Sequence, residues 1–342
     1  MAPFPNRRRS GARALILVLS AAVLMLPACS GDDADELVVY SGRSEELVGP
    51  LLERFSEETG ISVAPRYGDS ADLALSVASE DGRGDVDAFI SQSPGATGYL
   101  AAEGQLEKLP DAVLDRVPEE DRDGDGAWVG LTGRARVLAY NPNLVDPADL
   151  PGSVFDLTDD AFAGDVALAP TNGSFQDFVT FMRSSAGEEA TGDWLTAMAD
   201  AGSPTFPNNV SIVEAIANNE VPMGLVNHYY IARAKATDPD VEVDYVLFDE
   251  GDPGSVLLAT SVGVTKGADQ PEAAQRLAEF LLSDESQQYF TEETQEYPLV
   301  EGIELSDQLQ PLNELPVTRI DLNELGDGLE GTQRLIEASG LQ

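Results

Sequence analysis

The sequence predicts an α/β protein with two lobes, each a mostly parallel sheet with helices on both faces. Three observations carry this. Short apolar runs alternate with segments of helical period, as in strand–helix–strand units. The alternation restarts after Tyr140, as if a second unit began there. The chain has 342 residues, and even without an N-terminal leader it exceeds what one hydrophobic core usually supports.

The leader comes first. Arg7, Arg8, Arg9 and Arg13 make a basic start, and Ala14 to Leu26 is an apolar stretch too short to span a membrane comfortably. Leu26-Pro27-Ala28-Cys29 then has the form of a bacterial lipobox, whose cysteine carries lipid after cleavage. Cys29 is the only cysteine, so no disulfide can form within the chain. The expectation is a signal peptide over residues 1–28, an acidic linker over 29–35, and anchoring to the outer face of the cell membrane. Acyl chains hold by burying CH₂ groups, at about 0.8 kcal/mol each. A secretory leader with a chance cysteine is the competing reading.

The net charge is −41, and only Lys108, Lys235 and Lys266 are lysines. Nucleic acid and anionic lipid both require basic patches, so neither is expected as a partner. An acidic, well-solvated surface is the plain reading, and adaptation to a saline habitat is the sharper one.

In order, Leu37–Tyr40 reads as a strand and Ser41–Ser44 as a turn. A helix follows from about Glu45 to Thr59, stopped by Gly60; Pro50 lies far into it, so a start nearer Val48 is the alternative. Ile61–Ala64 alternates as a second strand, Gly68-Asp69-Ser70 begins a helix reaching about Glu80, and Asp87–Ile90 is a third strand. Trp128–Leu131 and Val137–Tyr140 flank Gly133-Arg134-Ala135-Arg136. In the second unit, Gly164–Ala169 is a strand and Thr171–Ser174 a tight turn. Phe175, Phe178, Val179 and Met182 have helical spacing. Asn208-Asn209 precede a helix with Ile212, Val213, Ile216 and Ala217 on one face. Val256–Val264 reads as a strand returning to the first unit. Pro271 opens a helix, and another closes the chain near Leu329–Ala338.

Gly224–Ile231 holds the most telling chemistry. An apolar run ends in Asn227-His228-Tyr229-Tyr230. Two adjacent phenols suit a hard, highly charged cation, because such a charge displaces protons with an ordinary pKa of about 10. The alternative is that the pair straddles a strand end or helix start with one ring in the core. Ser174-x-x-Asp177 and Ser211-x-x-Glu214 have capping-box form, and helix N-termini of this kind bind anions. Asn172, Gly173, Ser174, Asn209 and Asn227 are all expected at strand ends or helix starts, which share one edge of such a sheet. A small anion beside the tyrosines is therefore physically sensible.

Val39–Arg43, Gly133–Arg136, Ala169–Phe175, Asn227–Tyr230 and Glu296-Tyr297-Pro298-Leu299 occur in that order. Together they resemble the periplasmic ferric-ion-binding proteins of ABC importers, over nearly the whole chain after the leader. The resemblance implies a type II periplasmic-binding-protein fold with two hinge crossovers, near Gly133–Tyr140 and Leu257–Val264. The expected lobes are 36–136 with 260–300, and 137–259 with 301–342. They would close over Fe³⁺ and a synergistic anion, carbonate or phosphate. Tyr229 and Tyr230 take the place of the family's central iron ligands. Asn172, Gly173 and Ser174 take that of its anion-holding turn, with Asn209 and Asn227 beside it.

The sequence departs from the family at Ser44, where many members have His, at Gln92, where many have Glu, and at Phe175, where others have Tyr. Glu45, Tyr67 and Gln92 remain further candidate metal ligands, and Ser44, Arg134 and Arg136 further candidates for the anion. His228, the only histidine, would point away from Tyr229 in a strand-like backbone and is expected to be structural. The implied protein is a non-enzymatic, monomeric receptor that delivers iron to an inner-membrane permease and its ATPase. A receptor for another anion or small organic ligand is the alternative. A hydrolase lacks support, because no G-x-S-x-G elbow is present.

Overall fold

The computed structural model describes residues 36–79, 86–319 and 328–341. The leader, Cys29 and the acidic linker lie outside the described residues.

The first sheet starts from β1 (Leu37–Ser41), β2 (Val63–Tyr67) and β3 (Ala88–Ser91), parallel and ordered β2-β1-β3. Their crossovers are α1 (Glu45–Thr59) and α2 (Ser70–Ser79). The second strand lies two residues later than expected. Helix α1 has the expected bounds, and the alternative start nearer Val48 is not taken although Pro50 is inside it. Pro50 is exposed, so its ring meets solvent, while Leu47, Val48, Leu51, Leu52 and Phe55 are buried and hold the helix down. Helices α3 (Pro94–Ala102) and α4 (Asp111–Leu114) follow.

Strand β4 (Trp128–Tyr140) is one continuous, wholly buried strand where two flanking runs were expected. Arg134 and Arg136 break the apolar pattern without breaking the strand, because their guanidinium groups reach main-chain carbonyls inside the protein. The second sheet contains β5 (Val166–Ala167), which is shorter than expected, β6 (Met223–Asn227) and β7 (Asp244–Val246). Its helices are α5 (Gly173–Ala186), α6 (Glu188–Asp200), α7 (Asn209–Ala217) and α8 (His228–Thr237). Strand β8 (Val256–Val264) returns antiparallel between β3 and β4. Helices α9 (Pro271–Leu281) and α10 (Asp284–Tyr289), strands β9 (Tyr297–Pro298) and β10 (Thr318–Arg319), and helix α11 (Leu329–Ser339) complete the described chain.

The sheets are mixed: β1–β3 and β5–β6 pair in parallel, whereas β4 and β8 enter antiparallel. Strand β4 belongs to both sheets. Its first half pairs with β8 and β9, its second with β6 and β7. The register of β4 against β8 shifts between Gly130 and Thr132. On β6, a Cβ at Gly224 would lie 2.4 Å from a methyl of Ile212, so glycine lets α7 pack directly on this strand. That contact fixes the platform that ends in Asn227 and the tyrosines.

Candidate functional site

Strand β6 ends at Asn227, and α8 begins at His228, so both tyrosines stand in a helix's first turn. His228 is therefore helical where an extended backbone was expected. Its ring meets Tyr229 edge-on, with centroids 6.1 Å apart, and both nitrogens go to the main chain. Nδ1 accepts from the Ala135 N–H at 3.1 Å, which leaves the proton on Nε2, 2.9 Å from the Gln295 carbonyl it donates to. Burial keeps this imidazole neutral, with its pKa lowered to about 4. It stacks on Tyr297 at 4.9 Å and pins α8 to β4.

Tyr229 is fully buried and Tyr230 half-buried, with ring centroids 4.1 Å apart. The Tyr229 hydroxyl makes no hydrogen bond of good geometry. Burial pushes its pKa well above the ordinary phenol value, the neighbouring Tyr230 pushes it further, and Arg43 draws it back. The Arg43 guanidinium lies 5.9 Å from the centre of the Tyr229 ring.

Three buried guanidinium groups surround this pair. Arg43 donates to Glu296 Oε2 at 2.7 Å. Arg134 donates to the carbonyls of Gln92 and Ala259, the latter at 3.2 Å, and its Nε lies 4.0 Å from Glu296 Oε1. Arg136 donates to the side-chain oxygens of Asn209 at 3.3 Å and Asn227 at 3.1 Å, and to the Leu225 carbonyl at 3.0 Å. Burial and then the proximity of Arg134 lower the Arg136 pKa to about 9. Arg43 Nη1, Arg134 Nε and Nη1, Arg136 Nε and Asn227 Nδ2 are buried donors without a partner. Such groups cost about 1–3 kcal/mol each when left unmade. A folded site that keeps this many is arranged for an acceptor from outside the chain.

The expected anion turn joins the same network. Asn172 Oδ1 accepts from the Ser174 N–H at 3.1 Å, from Ser174 Oγ at 2.6 Å and from Asn209 Nδ2 at 3.1 Å. Arg136 continues the chain to Asn227, whose oxygen goes to that guanidinium and does not cap α8. Asn172 and Asn208 are the N-caps of α5 and α7; the capping boxes read at Ser174 and Ser211 are not formed. Asp177 faces Ser93 instead, because its burial brings it to the opposite sheet.

The other candidates are held as follows. Ser44 is the exposed N-cap position of α1, without a side-chain cap bond. Glu45 is exposed, and its side chain and the Tyr67 hydroxyl both lie against Gly49 of α1. Tyr67 titrates above the ordinary range through burial and then the carboxylate of Glu45. Gln92 contributes its main chain, the carbonyl to Arg134 and the N–H to Ser70 Oγ at 3.0 Å. Phe175 is buried against Phe178. Among the described residues no three His, Cys, Asp or Glu side chains come together as a metal site. The sequence alone gives no role to Arg43, Ser93 or Glu296, and to Asp177 only the capping-box place that the structure does not form. Arg43 and Glu296 stood within family-like motifs, but their pairing across 253 residues has no local signal.

Residues 86–321 match the family of bacterial extracellular solute-binding proteins. The chain belongs to that family. This solute-binding protein is 26% identical over 314 residues to the Fe(3+)-binding periplasmic protein of Serratia marcescens, covering 91% of this chain and 93% of that one. It is 28% identical over 315 residues to the major ferric iron-binding protein of Neisseria meningitidis, with coverages of 90% and 93%. Among solved structures, iron-bound HitA from Pseudomonas aeruginosa superposes with a TM-score of 0.86 at 32% identity, covering 90% of this chain and 99% of that one. The solute-binding protein thus has the two-lobe fold of these receptors, with the tyrosine pair and the arginines beside the crossover strand β4.

Proposed function

We propose that the protein is the extracytoplasmic receptor of an ABC importer, capturing Fe³⁺ together with an oxyanion between two closing lobes and passing both to a membrane permease. The observation that carries this is the buried Tyr229 hydroxyl, which makes no hydrogen bond of good geometry, set beside Tyr230 and ringed by guanidinium groups that each keep at least one nitrogen without a hydrogen-bond partner. Two phenolates supply hard oxygen ligands, and a trivalent cation provides the field to expel their protons. The relatives, whose names describe ferric iron binding, support the same cargo.

Charge balance supports the anion. Arg43, Arg134 and Arg136 are buried with two carboxylates at most, Glu296 and Asp177. A ferric ion with two phenolates adds further positive charge, so a dianion such as carbonate or hydrogen phosphate fits the surplus. It would be held by the guanidinium groups, Asn227 Nδ2 and the turn at Asn172, Gly173 and Ser174. The lobes would comprise residues 36–136 with 260–300 and residues 137–259 with 301–342, and Cys29 would carry the lipid anchor of a monomer. No covalent step is involved; binding and closure are the whole mechanism.

Ferric citrate added to purified protein tests the reading. Iron–phenolate coordination colours the protein, and Tyr229→Phe with Tyr230→Phe removes the colour. Dialysed protein that takes up no iron and stays colourless would refute the assignment.

A further inference from the structure

Besides Arg43, which lies over the Tyr229 ring, two further side-chain contacts cross from the elements of the first sheet to those of the second near the tyrosine pair. Glu46 at the start of α1 pairs with Arg233 of α8. The carboxylate of that pair is 74% exposed, so water and salt screen it and it holds little. The other contact is buried. Ser93 Oγ donates to Asp177 Oδ1 at 2.6 Å, and the residues are 3% and 1% exposed.

Ser93 is the N-cap of α3, directly after β3, and Asp177 is on α5 of the second sheet. The Ser93 hydroxyl is 3.4 Å from the N–H of Ala96, a long bond for a cap. The Gly95 N–H lies close enough to hold the Asp177 carboxyl pKa down, so the carboxylate sits at the N-terminus of a helix that belongs to the other side. Gly173, at the start of α5, packs against the same place: a Cβ there would lie 3.6 Å from Ser93 Cβ. The two helix starts, that of the anion turn and that of α3, therefore meet face to face.

We propose that Asp177 is the positioning residue that holds the lobes shut, by capping α3 across the cleft. This goes beyond the cargo and its ligands, since it concerns the protein before iron arrives. A carboxylate at a helix N-terminus gains both hydrogen bonds and the favourable end of the helix dipole. Opening breaks this cap and returns the carboxylate and the α3 amides to water. Closed protein then exists in cargo-free solution, and iron binding has less reorganisation to drive.

The geometry is also balanced against over-tight closure. Asp177 Oδ2 is buried without a partner, and burial raises the carboxyl pKa to about 7, opposed by Ser93, Arg134 and Gly95 and assisted by Asp69. Closing this contact at neutral pH dehydrates a carboxylate, which offsets part of what the cap contributes.

Small-angle scattering of the cargo-free protein tests the proposal, and needs no iron, so its outcome is independent of the cargo assignment. Asp177→Ala and Ser93→Ala are expected to shift the closed–open balance about tenfold toward open, the scale of one or two net hydrogen bonds, seen as a larger radius of gyration. Asp177→Asn keeps the amide oxygen for Ser93 and Gly95 and is expected to remain compact. Calorimetry on the same samples identifies unfolding, and Ser93→Ala carries the test if Asp177→Ala fails to fold. An unchanged radius in Ser93→Ala, or an Asp177→Asn variant as open as Asp177→Ala, would overturn the proposal.

Discussion

Replacing Tyr229 with phenylalanine removes one oxygen atom and leaves the ring and its packing against Tyr230 in place. In the cargo-free protein that oxygen is wholly buried and makes no hydrogen bond of good geometry. An unsatisfied buried polar group costs about 1–3 kcal/mol, so the variant should be more stable than the parent by about that amount. For a chain of this size, roughly 2 °C of melting temperature accompanies each kcal/mol, which puts the expected rise at about 2–6 °C. The assay is calorimetry of iron-stripped protein, paired with a ferric titration followed by visible absorbance. The variant should melt higher and lose the iron–phenolate band, stability gained where binding is lost. A fall in melting temperature would show that the hydroxyl is already satisfied without cargo, and the reasoning from its isolation would fail.

Glu296→Gln breaks the buried pair with Arg43 and should lower stability by about 3–5 kcal/mol, readable by denaturant titration, because an uncompensated guanidinium stays behind. Two buried groups oppose each other in acid. His228 is depressed to about 4, so its contribution of about 3 kcal/mol is present above pH 6.5 and lost as pH falls toward 4. Asp177 is raised to about 7, so its contribution of about 4 kcal/mol is present below 3.8 and lost as pH rises through 7. The parent should therefore show a shallow stability profile between pH 4 and 6.5, whereas Asp177→Asn should lose stability there on acidification and His228→Gln should gain it. Tyr229 is protonated without cargo, so iron uptake should release protons and weaken as pH falls, which a pH-indicator titration measures. With a net charge of −41, the protein should melt higher in added sodium chloride, and a midpoint that fell with salt would contradict self-repulsion.

Much of this architecture could be read from the chain because apolar spacing is local information. The helix from Phe175 to Met182 and the strand at Val256–Val264 both announced themselves by period. The continuous β4 did not, since Arg134 and Arg136 look like a polar turn until the carbonyls that receive them are known. Pro50 left the start of α1 open for a similar reason: its cost depends on which way its ring faces, and it faces solvent. At the site, the tyrosine pair and the asparagines were legible as residue types that suit the chemistry. Arg43–Glu296 and Ser93–Asp177 were not, because each joins segments far apart in the chain, and only the folded protein shows that they meet.

The way His228 is used has a consequence for which metals the receptor can confuse with its cargo. Both ring nitrogens are committed to main-chain partners, one receiving from Ala135 and the other giving to Gln295. The chain has no second imidazole, and its one thiol is at Cys29, in the N-terminal segment. Copper, nickel and zinc gain most from nitrogen and sulfur donors, and this pocket offers them neither. Committing a single histidine to holding a helix in place thereby leaves the candidate site an all-oxygen donor set, without the nitrogen and sulfur ligands those metals favour.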